Sequence, residues 1–258
     1  MKRTFRASAL LRTGTALVLS AVGACTDIPT DADEVLSIEL SALPFPSVVV
    51  GDTLRDTTGV ASPLNPIAYN FQGQPVPAPP FRFRAIDRGV TVDSVRGFVV
   101  GDSTRATPAR VAATLGNLQA FIRIIVTLRP DTVFASQSRD TLLYSLTDTT
   151  KNRSEPLNVS VRHRGAAADS AVNGWLVSFA ILTPLDTAFV RLVNDGGISS
   201  QIDTTDASGV AGRRIRMDVA RIRAVNDSVV VIASVKHRGI NVHGSPVRMV
   251  LELRPASP

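Results

Sequence analysis

The chain has 258 residues, 44% hydrophobic, 5% aromatic and 19% charged, a composition that excludes collagen-like, coiled-coil and wholly disordered proteins. Its formal charge is +6, but Lys2, Arg3, Arg6 and Arg12 stand in the first 24 residues without a single acid, and the remainder carries 24 basic against 22 acidic groups. That near balance argues against nucleic acid as a partner, and a single cysteine, Cys25, excludes an intrachain disulfide or a multi-cysteine metal site.

The four early charges are followed by an apolar run, Ala16 to Ala24, that ends in small residues, the layout of a cleaved secretory signal peptide over residues 1–24. The run is too short to cross a bilayer, which needs ~20 apolar residues. Its end, Val22-Gly23-Ala24-Cys25, resembles the bacterial lipobox. The resemblance implies cleavage before Cys25 and lipidation of its sulfur, with no cofactor other than that covalent lipid. Each buried methylene contributes about 0.8 kcal/mol and stable anchoring takes more than one chain, which diacylglycerol plus an N-acyl group supplies. An ordinary secretory signal followed by a free cysteine is the competing reading. Thr26 rather than aspartate follows the cysteine, which favours the outer membrane of the bacterial envelope over the inner. Residues 25–34, acidic and proline-containing, read as an extended tether.

From Val35 onward, short runs alternate apolar and polar residues and are broken by Gly, Pro, Asp and Asn, as in Phe81-Arg82-Phe83-Arg84, Ile122-Arg123-Ile124, Leu157 to Val161, Trp175 to Ile181, Ile215 to Val219 and Val247-Arg248-Met249. Period two with almost no helical spacing predicts an all-β chain of sandwich strands. Asp56 to Asn65 is echoed by Asp148 to Asn158, and Leu-Arg-Pro closes two stretches, at Leu128 to Pro130 and Leu253 to Pro255. The repeat predicts two modules of one architecture, 35–130 and 131–258. Trp175, Val177, Phe179 and Ile181 are expected to face one core, with Trp175 held by burial alone because the cysteine pair of antibody domains is missing.

These residues carry a family resemblance. Val48-Val49-Val50-Gly51-Asp52-Thr53, Tyr69 to Val76, Phe81-Arg82-Phe83, Val90 to Asp93, Gly97-Phe98-Val99 and Val111-Ala112-Ala113 resemble the ordered landmarks of group-two bacterial Ig-like domains. In the second module Leu157 to Val161, Val177-Ser178-Phe179, Thr205 to Ala211 and Asp227 to Ala233 resemble group one, the repeats of invasin and intimin adhesins. It departs from that pattern at Arg164 to Ala167, and 163–174 looks lengthened. The resemblance implies tandem Ig-like β-sandwiches that adhere, bind or act as spacers without catalysis.

Catalytic signatures are missing: the sequence contains no Gly-x-Ser-x-Gly elbow, His-Glu-x-x-His helix, phosphate loop or dinucleotide glycine pattern. His163, His237 and His243, two of them in the string His-Arg-Gly, could meet at adjoining strand ends and hold zinc, although each also reads as a solvated strand-end residue. Asp195, Asp203 and Asp206 could gather around calcium, though turn capping accounts for them equally. Arg213, Arg214, Arg216, Arg221 and Arg223 alternate with apolar residues, the pattern of a solvated sheet face. The expectation is a lipid-anchored envelope protein whose partners are the membrane, through its anchor, and another envelope protein or a glycan. The alternative is an exported metal- or solute-binding lipoprotein, or an enzyme, with its site in the second module.

Overall fold

The computed structural model describes residues 34–40, 42–77, 79–184, 189–218 and 228–256; the leader, Cys25 and Arg221 and Arg223 lie outside them. The described chain is all-β, with one 3-10 turn at Thr149–Lys151 and no α-helix. It forms two tandem β-sandwiches, each with its own core.

The first sandwich contains β1 Ser37–Glu39, β2 Ser47–Val49, β3 Ile67–Tyr69, β4 Pro75–Val76, β5 Arg82–Ala85, β6 Val90–Val92, β7 Val99–Gly101, β8 Ala109–Leu115 and β9 Leu118–Thr127. A four-stranded sheet in the order β2-β9-β8-β5 is accompanied by the sheets β1-β3-β4 and β6-β7. Alternation decides which side faces in. Val48, Phe83, Val111, Ala113, Ile122, Ile124 and Val126 of the four-stranded sheet join Leu54, Leu64, Val90 and Val99 in one buried cluster, while the intervening arginines face out.

The second sandwich contains β10 Thr132–Ala135, β11 Arg139–Tyr144, β12 Leu157–His163, β13 Ser170–Ala171, β14 Leu176–Thr183, β15 Val190–Val193, β16 Ile202–Thr204, β17 Val210–Met217, β18 Ser228–Ser234, β19 Lys236–His237, β20 Ile240–Asn241 and β21 Val247–Pro255. Two five-stranded sheets, β10-β12-β17-β15 with β13 beside β12, and β11-β21-β18-β14-β16, enclose one core. Val159, Val161, Leu192 and Ile215 from the first meet Val177, Phe179, Val231, Met249 and Leu251 from the second. Trp175 lies in this core and Ile181 packs against it half-buried, as the alternation predicts. The lengthened stretch 163–174 folds back so that β13 pairs with Arg162 and His163.

In both sandwiches an early strand lies parallel to the last one, β2 along β9 and β11 along β21. The structure moves the echo of Asp56. The Asp56 carboxylate accepts from Thr58 N at 2.9 Å, Thr58 Oγ1 at 2.6 Å and Val60 N at 3.0 Å. The same turn recurs at Asp206, whose carboxylate accepts from Ser208 N at 2.8 Å, Ser208 Oγ at 2.7 Å and Val210 N at 3.0 Å. In both, glycine stands fourth with positive φ, 93° at Gly59 and 75° at Gly209, where a side chain is strained. Asp148 has Lys151 at that place and caps the 3-10 turn instead.

Candidate functional site

The most elaborate cluster of polar side chains lies where the sandwiches meet. It is built on Asp52, just past β2, which is 8% exposed. Arg55 donates to it from Nε at 3.0 Å and Nη2 at 2.9 Å, Thr53 N donates at 2.8 Å, and Arg238 Nε reaches it from the second sandwich at 2.9 Å. Burial alone would raise the Asp52 pKa, but the Arg55 and Arg238 hydrogen bonds outweigh it and hold the carboxyl well below its ordinary range.

Arg238 owes its position to a two-residue hairpin between β19 and β20. Hairpin loops of this length favour positive φ at both central residues, and Arg238 and Gly239 have φ of 52° and 78°. The left-handed conformation costs a non-glycine residue about 1–2 kcal/mol, and the Arg238 side chain held there pairs with Asp52. Two glycines make the approach possible. A β-carbon on Gly59 would stand 2.4 Å from the Arg238 carbonyl carbon, and one on Gly239 would stand 2.8 Å from Thr58 O. Backbone therefore meets backbone across the junction.

Apolar contacts flank the charges. Phe45 packs against both cores with its ring centroid 4.7 Å from that of Trp175 at 54°; such pairs contribute about 0.5–1.5 kcal/mol beyond area. Val49 of β2 belongs to the second core, and Ser47 Oγ donates to Gly174 O at 2.9 Å. Trp175 is not held by burial alone: its Nε1 donates to Lys236 O at 3.1 Å and its backbone N donates to the buried Thr205 hydroxyl at 2.8 Å. His237 completes the cluster. Its ring lies 5.8 Å from Trp175 and its Nε2 lies 3.8 Å from Asp52 Oδ2, with no hydrogen-bond partner among the described residues. Burial, then the Arg238 charge, lowers its pKa, partly opposed by Asp52. Phe45, Ser47, Asp52, Trp175, His237 and Arg238 border a crevice of about 30 Å³, about the room one water occupies.

The other histidines are elsewhere. His163 Nδ1 lies 2.6 Å from Asp131 Oδ2, and His243 engages the segment 131–133 through its backbone. Among the described residues no three His, Cys, Asp or Glu side chains are grouped to hold a metal ion. The three aspartates are also dispersed: Asp203 pairs with Arg213 at 2.9 Å, Asp195 with Arg214 at 3.1 Å, and Asp206 caps its turn. Arg213 departs from the solvated-face expectation. It shares the inward parity of Ala211, Ile215 and Met217, is 8% exposed, and is accommodated by Asp203 and by donation to Gly212 O at 2.8 Å.

No family model matches the sequence, and no curated protein does. Solved structures similar to the chain include the S-layer protein SbsC over 31–844, at 10% identity and TM-score 0.32, covering 86% of this chain and 28% of that one. The Escherichia coli adhesin FdeC aligns at 14% identity and TM-score 0.29, covering 83% and 65%. Cadherin domains 1–4 of protocadherin gamma B7 align at 13% identity and TM-score 0.29, covering 69% and 42%. The chain spans less than a third of the SbsC structure it matches.

Proposed function

We propose that the protein is a lipid-anchored component of the bacterial cell envelope whose tandem Ig-like sandwiches, group-two-like then invasin-like, form a noncatalytic arm for adhesion or spacing. The junction carries this reading. Flexible beads on a string need no buried carboxylate shared by Arg55 and Arg238, no Phe45 between two cores and no facing glycines; an arm that holds a distal surface at fixed orientation needs all three. Cys25 is the anchoring residue and residues 25–34 the tether, with the outer membrane as the destination.

Cys25→Ser tests the anchor. Expected is transfer from the membrane to the soluble fraction and loss of label from radioactive palmitate; persistence of both in the variant refutes the reading.

A further inference from the structure

The outward face of the first sandwich's four-stranded sheet carries a cationic patch. Strands β5, β8 and β9 of this sheet contain no aspartate or glutamate, and Arg82, Arg84, Arg110 and Arg123 all point outward and are exposed. Across the sheet, Arg84 on β5 is in register with Ala112 on β8, and Ala112 with Phe121 on β9. Neighbouring strands lie about 4.8 Å apart and Ala112 is fully buried, so this row presents the Arg84 guanidinium and the Phe121 ring to solvent side by side. Phe121 is 52% exposed. One row along, Arg110 stands directly opposite Arg123, a like-charge pairing that costs stability. Asp87 answers only Arg110, at 2.9 Å and 3.1 Å; Arg82, Arg84 and Arg123 have no carboxylate partner among the described residues.

We propose that this patch binds an acidic polysaccharide, a linear chain of uronic acid residues. The inference rests on the envelope reading above, which supplies the setting in which such a chain is met. Guanidinium forks pair bidentately with carboxylates, and an exposed Phe ring offers its face to the apolar side of a pyranose. Two observations choose among polyanions. Continuing along β9, the next outward residue after Arg123 is Ile125, which packs at Gly174 of the second sandwich. The patch therefore runs up to the second sandwich, whose flank hinders the approach of a flat bilayer more than that of a narrow chain. A single exposed ring suits one sugar contact, whereas single-stranded nucleic acid uses successive aromatics to stack successive bases.

The test is titration calorimetry of the purified full-length chain with polygalacturonate, with the same polymer after reduction of its carboxyl groups, with a single-stranded oligonucleotide and with anionic phosphatidylglycerol vesicles. Binding to polygalacturonate alone is expected, weakening with salt as counterions are exchanged. R84A/R123A should weaken it about tenfold or more and flatten the salt dependence. F121A should weaken it about threefold or more without changing the salt dependence, and R254A, remote from the patch, should leave it unchanged. Equal binding of the carboxyl-reduced polymer, tighter binding of oligonucleotide or vesicles, or wild-type affinity in R84A/R123A overturns the proposal. Fractionation of the Cys25→Ser variant decides the envelope reading separately.

Discussion

At the scale of single residues, the turns were legible because their chemistry is local. Asp206 to Val210 folds as its residue types require, with an acid to accept two backbone N–H groups and a glycine for positive φ. Gly209 is doubly constrained, since a β-carbon there would stand 2.7 Å from Val161 O. Gly209→Ala is therefore expected to cost about 1–3 kcal/mol in a urea titration, against about a few tenths for an alanine at Gly196, where φ is not positive and the nearest atom to a β-carbon is the Asn194 side-chain oxygen at 3.4 Å. Arg213 was not legible. Its charge pointed outward by rule, but its strand parity pointed inward, and the carboxylate of Asp203, ten positions back, together with the carbonyls of Gly212 and Ile202, reconciles the two.

At the scale of elements, alternation identified β5, β9, β12, β14 and β21, and it placed Trp175, Val177 and Phe179 in one core. It was silent on β2, whose Val48 and Val49 enter different cores, because a strand between two sandwiches is buried on both faces and loses its period. It was silent too on the β19–β20 hairpin, whose partner Asp52 is 186 residues away; the only hint was the glycine after each of two His-Arg pairs. The hairpin carries a pH dependence. His237 is surrounded by Asp52 and Arg55 from the first sandwich, by Arg238 and Lys236 of its own hairpin, and by the Arg129 charge. Its folded pKa lies below the ordinary value of about 6.5. Its contribution is thus complete above pH ~6.5 and is lost as pH falls from there toward the folded value, because the unfolded chain binds the proton first. Stability measured by denaturant between pH 7 and 5 should decline in the wild type and decline less in His237→Gln. Parallel slopes in the two would remove His237 from the account.

At the scale of the molecule, the sandwiches are separable by their cores and joined by their junction. Expressed alone, residues 35–130 should fold cooperatively with β-type circular dichroism, since their core draws only on residues 40 to 126. Residues 131–258 should also fold but melt several degrees lower than the same sandwich in the intact chain, because Trp175 loses Phe45 and the core loses Val49. An unchanged melting temperature would mean that the junction contributes nothing.

The parallel pairs β2–β9 and β11–β21 have a mechanical consequence. Where an early strand runs alongside the last strand in the same direction, tension that reaches the two of them slides one past the other. The ladder between Arg139–Tyr144 and Val250–Pro255 is then loaded all together rather than peeled one bond at a time. A sandwich pulled from both ends is thereby braced where the load passes between its early and last strands.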